Sequence, residues 1–366
     1  FLVFNERTYP NLIALFKLLK LDTPASDMSF SVKLPHLNLE WAGANLSTLF
    51  VQKRNLVRPG FWRMIRDILN FNKRSHALLD EMQGSGLTLG QLLDREGYSR
   101  EFRDWYLLPM GAAIWSSPMD EMADFPAETF IQFCLNHGLL QVNDRPKWHT
   151  VTGGAKHYVK KMLAAIPHKY VNTPVKSVSR VDFGSLQQVR VEVQGASHLF
   201  DHVVLATHSD QSLDLLHDAS KAEKEILSAV AYQPNKAVLH TDARCLPANP
   251  KAWSAWNYES AGTAEPRVCV HYLINKLQPL PFETPVIVSL NPIHEPDPAT
   301  VLGSYDYAHP VFDGPAIAAQ QALPSIQGER NTWFAGAWMG YGFHEDGLKA
   351  GLGVARQLLS RLQQAG

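Results

Sequence analysis

A strand-to-helix passage at residues 331–347 restricts the fold more than any other part of the chain; it reads NTWFAGAWMGYGFHEDG. A short apolar strand is predicted over residues 332–335, and a helix from near Glu345 to about Leu362. Glycines occupy positions 336, 340, 342 and 347. They predict a backbone that comes close to a flat ligand, where a Cβ atom would collide. The start of a helix, with its unpaired N–H groups and positive dipole end, suits an anionic or electron-accepting group.

This passage resembles the C-terminal flavin-contacting motif of the FAD-dependent amine-oxidase superfamily, which includes monoamine oxidases, protoporphyrinogen oxidase and phytoene desaturases. More narrowly, the run from Phe334 to Gly347 resembles a subfamily of predicted NAD/FAD-binding oxidoreductases. Members of that subfamily are often found beside, or fused to, cyclopropane-fatty-acyl synthases, which makes such a synthase an expected partner. Taken alone, the passage also fits a buried glycine-rich turn and a capped helix, with Glu345 and Asp346 complementing the helix dipole.

Other stretches extend the resemblance over nearly the whole chain. They include the Gly153-Gly154 turn, the apolar run 107–115, and residues 253–258 and 272–278. The run 107–115 is expected either to line a substrate cavity or to end a core helix. The resemblance implies an α/β fold, in which a doubly wound FAD-binding domain is interleaved with an α+β substrate domain.

A chain of 366 residues favours two domains. The FAD-binding domain is predicted to comprise residues 1–8, 150–224 and 325–366, and the substrate domain to comprise 9–149 and 225–324. A member of this superfamily should open with a strand, a GxGxxG turn and a helix that bind the FAD pyrophosphate. No such turn follows a strand near the start of this chain, which opens FLVFNERTYP. We therefore expect that this unit, on the order of 50–70 residues, is missing.

The resemblance also implies which residues bind FAD. They are Val175, through its main chain to the adenine, then Thr207, Gly336, Ala337, Gly342, Phe343, Glu345 and Gly347. Tyr341 and His344 are the candidate catalytic residues, because their side chains are expected nearest the isoalloxazine ring. His344 is expected either to act on the flavin or a proton, or to be a hydrogen-bonded residue at the helix start.

Two departures from the superfamily pattern bear on the reaction. Much of the superfamily has an acidic residue where this chain has Ala337, which offers a cofactor only its backbone N–H. No counterpart of the flavin-facing lysine of the amine oxidases can be assigned. Amine oxidation is therefore less well supported than flavin binding. The function expected is an FAD-dependent oxidoreductase that takes a hydride from a fatty-acyl or lipid substrate; the alternatives are a flavin amine oxidase and a non-catalytic remnant or interaction module.

Composition excludes several other classes. The hydrophobic fraction of 45% and the charged fraction of 19% are those of a globular protein, and a net charge of −1 does not favour nucleic acid. Three cysteines without CxxC spacing, Cys134, Cys245 and Cys269, indicate reduced thiols in the cytoplasm. The fifteen histidines are scattered, so no metal site is predicted. No apolar run reaches the roughly 18 residues of a membrane-spanning helix.

Periodicity gives the expected elements. Helices are predicted over 10–19, 61–72, 75–83, 88–95, 99–107, 127–138, 155–166 and 211–217. Strands are predicted over 29–32, 37–41, 170–171, 175–178, 189–193, 201–207, 237–240, 268–272 and 286–290. Thr88 and Ser99 are predicted N-caps.

A basic amphipathic segment spans residues 53–74. It holds seven basic residues against one acidic residue, Asp67. Six apolar residues share one helical face: Phe61, Trp62, Met64, Ile65, Ile68 and Leu69. Such a face predicts either peripheral contact with an anionic membrane or burial in the interior of the domain.

Overall fold

The computed structural model describes residues 3–141, 145–184, 186–260, 262 and 269–365. The chain divides into two compact units. Unit 1 comprises Phe1–Thr8, Lys20–His157 and Gln233–His309, and unit 2 comprises Tyr9–Leu19, Tyr158–Tyr232 and Pro310–Gly366. These bounds differ from the predicted domains near the start of the chain and also at the later boundaries, because residues 150–157 belong to unit 1 and residues 225–232 and 310–324 belong to unit 2. Residues 9–19 belong to unit 2, and Phe1–Thr8 belong to unit 1.

The described residues form strands and helices in the following order. The strands are β1 (Phe4–Asn5), β2 (Phe30–Leu34), β3 (Leu39–Ala42), β4 (Trp148–His149), β5 (Val175–Phe183), β6 (Leu186–Val193), β7 (Ala196–Phe200), β8 (Val203–Leu205), β9 (Tyr232–His240), β10 (Trp256–Glu259), β11 (Cys269–Leu273), β12 (Ile287–Leu290), β13 (Val301–Pro310) and β14 (Thr332–Phe334). The helices are α1 (Pro10–Leu18), α2 (Leu46–Leu49), α3 (Pro59–Met82), α4 (Leu89–Arg95), α5 (Arg100–Phe102), α6 (Leu108–Trp115), α7 (Met119–Asp124), α8 (Ala127–Asn136), α9 (Lys156–Ala164), α10 (Ser209–Leu215), α11 (Lys221–Ser228), α12 (Ile274–Leu277), α13 (Gly314–Ala322) and α14 (His344–Ala365).

Unit 1 is built on a seven-stranded sheet of order β13-β9-β12-β11-β10-β2-β3. Strands β10 and β2 are parallel, whereas β2–β3, β10–β11, β11–β12 and β12–β9 are antiparallel. Because side chains alternate along a strand, the pairing of Phe30 with Trp256 and of Ser31 with Asn257 gives the sheet an aromatic face and a polar face. Both faces are largely covered, since Trp41, Val32, Ser31 and Asn257 are all buried.

Local capping signals set several helices of unit 1. Helix α4 begins at a capping box, in which the Thr88 side chain and Gln91 each accept the other's backbone N–H. Ser99 caps α5 in the same position relative to its helix, by accepting from the backbone N–H of Phe102. Both N-caps were predicted. Helix α3 runs unbroken over 24 residues, where the sequence predicted two helices, because Ser75 turns its hydroxyl back to the carbonyl of Asn72 (2.8 Å) instead of ending the helix.

The apolar face of α3 packs inside unit 1. Phe61, Met64 and Phe71 have no exposed surface. Phe71 lies 5.5 Å from Phe102 between ring centroids. Burial in the unit's own interior is therefore the outcome for Phe61 and Met64, and these two residues are not part of any lipid-facing surface. Trp62 and Leu69 are exposed.

Unit 2 contains a parallel strand pair, β8–β14, and an antiparallel three-stranded sheet, β5-β6-β7. Its core is formed by apolar residues from both sheets and from helices α10, α11 and α13: Val178, Val189, Leu205, Leu216, Leu227, Val230, Ala316, Leu323, Phe334 and Trp338 are among its buried members. The doubly wound arrangement predicted for this domain stays a prediction, because the parallel sheet in the described part of unit 2 has two strands.

Other expectations were met or missed element by element. The hairpin β2–β3 and the strands β6, β8, β9, β11 and β12 lie where they were predicted, although Val268 falls outside the described residues. The predicted strand at Tyr170-Val171 is wrong: Val171 lies in a turn and both side chains are exposed. Strand β13 was not predicted. In the part of the chain that the structure describes, no helix has both the length and the apolar character needed to cross a membrane.

Candidate functional site

Two strands of unit 2 end side by side. Strands β8 and β14 are parallel, with Phe334 opposite Leu205. The backbone N–H of Ala335 donates to the carbonyl of Leu205 (3.0 Å), so the pairing continues to the last residue. The turns that follow, at Ala206-Thr207 and Gly336-Ala337, therefore meet at one edge. The carboxyl edge of parallel strands is where open α/β sheets bind ligands.

The indole of Trp338 ties these two turns together. Its Nε1–H donates to the carbonyl of Thr207 (3.1 Å). A Cβ atom at Gly336 would lie 2.5 Å from that nitrogen. The fold itself therefore requires glycine at position 336, and the close approach of a ligand to this residue stays a prediction.

The chain then turns sharply into helix α14. Gly342 has a φ of +89°, a backbone conformation that favours glycine. The Asp346 carboxylate accepts the backbone N–H of Phe343 (3.0 Å). It thereby holds the first turn of α14, which begins at His344, one residue before the predicted start. The first turn carries Glu345 and Asp346, as expected for acidic residues at the positive end of a helix.

Glu345 does not offer its side chain to a ligand. Its Oε1 accepts the backbone and side-chain N–H groups of Asn11 (3.0 and 2.6 Å), and its Oε2 accepts the backbone N–H of Leu12 (2.9 Å). Helix α1 has no side-chain cap of its own, and the buried Glu345 carboxylate supplies it. The side chain of this predicted cofactor-binding residue is thus already committed to α1, which leaves only its main chain for a cofactor.

His344 has a partner that the sequence did not indicate. Its Nε2 lies 2.8 Å from the hydroxyl of Tyr158 on α9. Burial raises the pKa of Tyr158, so the phenol keeps its proton at neutral pH. Tyr341 and Phe343, which precede His344 closely in the sequence, are half-buried. No local pattern could have found Tyr158, which is 186 residues away.

Val175 and Thr207 are brought together by the fold. Both line a groove of about 560 Å³ in unit 2, along with apolar side chains of β5, β6 and β8. The Thr207 hydroxyl lies 2.8 Å from the hydroxyl of Ser212, so it braces the start of α10. Gly336, Ala337, Gly342, Phe343 and Gly347 lie outside this groove, along the β14–α14 turn. The predicted cofactor residues therefore form two neighbouring sets on unit 2.

Unit 1 holds a separate cavity of about 320 Å³. Aromatic residues dominate its lining: Phe30, Trp41, Tyr106, Trp148 and Trp256. Met110, Ala113 and Ile114 of α6 also line it, while Leu107 and Leu108 are buried. Residues of the run 107–115 therefore line a cavity and also pack into the core. That the cavity binds a substrate stays a prediction.

Besides Tyr106, three titratable side chains of the described residues line this cavity. Asp27 lies 3.6 Å from Lys276, which neutralises its charge. The buried His137 has a pKa lowered to about 4 by burial, so it is uncharged at neutral pH. The exposed Arg145 donates to the carbonyl of Gln141 (2.8 Å). Among the described residues that line the cavity, Arg145 is the one cation.

Comparison with known proteins identifies the architecture. No protein-family model matches the chain, and none of the curated proteins is similar to it in sequence. Among solved structures, the fold is similar to that of a CLA-producing fatty acid isomerase from P. acnes, with a TM-score of 0.64, 13% identity, and coverage of 99% of this chain and 86% of that one. Cyclohexylamine oxidase from Brevibacterium oxydans is similar with a TM-score of 0.64 and 13% identity, and the match covers 99% of this chain and 87% of that one. Putrescine oxidase bound to putrescine is similar with a TM-score of 0.61 and 13% identity, and the match covers 97% of this chain and 87% of that one. The chain has the mixed α/β fold, with several sheets, of these three enzymes.

Proposed function

We propose that this protein is an FAD-dependent oxidoreductase that takes a hydride from a fatty-acyl or other lipid substrate. The observation that carries the proposal is the pair of parallel strand ends in unit 2 beside the N-terminus of α14. The solved structures with the same fold are FAD-binding flavoenzymes, which supports the choice of cofactor. An amine as the substrate is the second candidate, because two of those structures are amine oxidases.

The residues of unit 2 fit a dinucleotide. The main chain from Gly336 to Gly347 would meet the flavin, and the groove with Val175 and Thr207 would receive the adenosine half. FAD, when bound, supplies the hydride acceptor. The N-terminus of α14 offers backbone N–H groups and a positive dipole end, which would stabilise negative charge on a bound flavin. The Tyr158–His344 hydrogen bond can hold a proton at the Nε2 atom of His344.

We also propose that the complete protein carries a pyrophosphate-binding βαβ unit in addition to residues 1–366. Strands of a parallel sheet normally have both faces covered, yet Val204 in the middle of β8 is 43% exposed. A strand and helix packed here would cover it. On this proposal, residues 1–366 alone bind FAD weakly, and adding the unit in frame restores tight binding.

Flavin binding can be tested at one glycine with a matched control. A Cβ atom at Gly347 would meet nothing in the protein closer than 3.6 Å, and one at Gly351 would meet nothing within 4 Å. Alanine at either position should stabilise α14 by about 0.5–1 kcal/mol. In the complete protein, Gly347→Ala should weaken FAD binding about tenfold, a change of roughly 1.4 kcal/mol, because its methyl group would enter the space of the flavin. Gly351→Ala should leave the affinity unchanged.

The measurement is a titration of the flavin-free protein with FAD, followed by flavin fluorescence. A complete protein that purifies colourless and takes up no FAD would refute the proposed cofactor. Equal affinities for the two variants would mean that FAD does not approach Gly347. Thermal unfolding of both variants shows whether a loss of FAD binding is caused by a folding defect.

The cavity in unit 1 supports a lipid substrate. At about 320 Å³ it lies within the range of ligand pockets, roughly 300–1,000 Å³. Its aromatic walls suit an apolar chain, and Arg145 suits a carboxylate. Within the described part of the lining, a small polar amine would find no unpaired carboxylate, since Asp27 is paired with Lys276.

We propose a membrane contact narrower than the one predicted over 53–74. Leu56, Val57 and Trp62 form an exposed group held together by the hydrogen bond from Trp62 Nε1 to the carbonyl of Leu56 (2.8 Å). Exposed cations lie on the same short segment, at Lys53 and Arg54. We call these five residues the basic apolar patch. Arg63 and Arg66 are excluded because each already pairs with a carboxylate, of Glu101 and Asp67 respectively.

Vesicle binding tests this patch. The protein should co-sediment with phosphatidylserine vesicles at low salt and be released as salt rises, because each basic residue near the surface contributes about 1 kcal/mol of screened attraction. Val57→Asp should reduce the bound fraction severalfold. The control is Leu302→Asp, an exposed residue on β13, the edge strand farthest from β2 and β3 in the sheet. Equal losses for the two variants, or binding insensitive to salt, would contradict the proposal.

A further inference from the structure

The polar face of the unit 1 sheet carries a compact group of metal-ligating side chains. Glu259 on β10 pairs directly with Cys269 on β11, and His271, two residues along β11, pairs with Ser289 on β12. The pairing puts all four on the same face of the sheet. Each of them is at least 95% buried. This group plays no part in the function proposed above, and its spacing in the sequence matches no metal motif.

The geometry around His271 is unusual for a simple hydrogen-bond network. Both Glu259 Oε2 (3.0 Å) and Cys269 Sγ (3.3 Å) lie against the same ring nitrogen, Nε2. The other nitrogen, Nδ1, is engaged by the Ser289 hydroxyl at 2.6 Å. One proton on Nε2 can be directed at only one of the two neighbouring atoms. A cation between the three donor atoms would contact all of them.

The distances fit such a cation. Tetrahedral zinc with bonds of about 2.0–2.3 Å keeps its ligand atoms roughly 3.3–3.7 Å apart. The two separations from Nε2 differ from this range by a few tenths of an ångström at most. All three donor atoms lie within 4.8 Å of one another. A small movement of side chains would bring all three donor atoms within bonding distance of one ion.

We propose that unit 1 binds a zinc-class divalent ion through His271 Nε2, Cys269 Sγ and Glu259 Oε2. Thiolate and imidazole ligands favour zinc over magnesium or calcium. The outer contacts suit this role as well. Ser289 is placed to accept the Nδ1–H of His271, and Lys33 lies 3.0 Å from Glu259 Oε1. Each of these two ligands is therefore oriented by a contact to an atom that does not bind the ion. Cys269 binds as the thiolate and releases its proton to solvent.

A second set, His240, Cys245 and His271, is equally compact but fits less well. The Nδ1 of His240 accepts the backbone N–H of Asp242 (3.1 Å). In a neutral imidazole the proton must then lie on Nε2, which donates it to Ser289 (2.6 Å). His240 therefore has no lone pair available for a metal. Since the site is buried, its ion would hold β10 and β11 together and would not act on substrate.

The test uses two of the three buried cysteines, Cys245 and Cys269, as a matched pair. The full chain is dialysed against limiting Zn²⁺, freed of loosely bound metal by gel filtration, and analysed by mass spectrometry of the metal. The wild type and Cys245→Ser should each retain about one zinc per chain. Cys269→Ser should lose zinc affinity by at least about tenfold. X-ray absorption at the zinc edge of the wild type should show one sulfur neighbour, a readout that requires no variant.

Three outcomes would overturn the assignment. The first is a wild-type chain that retains no zinc. The second is a Cys245→Ser variant that loses as much zinc as Cys269→Ser. The third is a zinc edge spectrum without sulfur, which would place any bound zinc elsewhere, whether or not Cys269→Ser folds.

Discussion

Replacing Glu223 with alanine should lower the free energy of unfolding of unit 2 by about 3–5 kcal/mol, the usual cost of leaving a buried charge without its partner. The Glu223 carboxylate lies 2.5 Å from Nη2 of Arg180, whose side chain has no exposed surface. Asp218 remains as a second, longer contact at 3.3 Å. The same Glu223 carboxylate also accepts the backbone N–H of Ser220 (2.7 Å) in the capping box of α11, so alanine also removes one of the two hydrogen bonds of that capping box.

The control for this substitution lies on the same helix. Glu225 pairs with Lys221 at 3.6 Å on the surface, where both side chains are mostly exposed. Glu225→Ala should cost no more than about 0.5 kcal/mol, as for other exposed helical ion pairs. Urea unfolding, with hydrogen exchange of the β5–β7 amides to report on unit 2, measures both. Similar losses for the two variants would mean that the buried pair contributes no more than a surface pair.

Reversing the charge of Arg145 should change which substrates reduce the flavin. In the complete, FAD-loaded protein under anaerobic conditions, a long-chain fatty acid should bleach the flavin band, and Arg145→Glu should slow bleaching by about 10–100-fold. That range corresponds to losing one charge-assisted hydrogen bond worth roughly 1.5–3 kcal/mol. An alkylamine of equal chain length should react faster with the variant than with the wild type, because a carboxylate now meets its ammonium group.

Lys147→Glu makes the same charge change two residues away, at an exposed side chain outside the cavity lining. It should leave both rates nearly unchanged, so general effects of net charge are separated from contact with the substrate. If the wild type is bleached by amines and not by fatty acids, the amine-oxidase alternative replaces the lipid proposal. If no substrate of either class reduces a flavin that is bound, both the lipid and the amine proposals are wrong, and the non-catalytic module is the alternative that remains.

The sequence predicted those features that depend on near neighbours. The Thr88 N-cap depends on hydrogen bonds with Gln91, three positions along. The start of the helix after Gly342 depends on a hydrogen bond within its own first turn, from the backbone N–H of Phe343 to Asp346. The hairpin β2–β3 and the apolar strand β8 follow from alternation and from hydrophobic runs of a few residues. In each case the interaction that stabilises the element lies within the window in which a pattern can be read.

Features that depend on distant contacts could not be predicted. The resemblance assigned Glu345 to the cofactor, and only the fold shows that its carboxylate accepts hydrogen bonds from Asn11 and Leu12, more than 330 residues away. The apolar face of α3 looked equally suited to lipid or to the interior, and only packing against Phe102 and its neighbours decides. The proposed metal ligands are spread over two strands, so the register of β10 with β11 was needed to bring them together.

The bond between Glu345 and helix α1 has a consequence for how the protein folds. During synthesis, the segment Pro10–Leu18 emerges early, yet the carboxylate that caps it is made more than 330 residues later. Helices of this length are marginal on their own in water. We therefore expect α1 to remain largely unfolded until α14 has left the ribosome. Unit 2 should then fold late and slowly, because folding slows when many contacts join residues far apart in sequence. Glu345 thus couples the folding of α1 to the synthesis of α14.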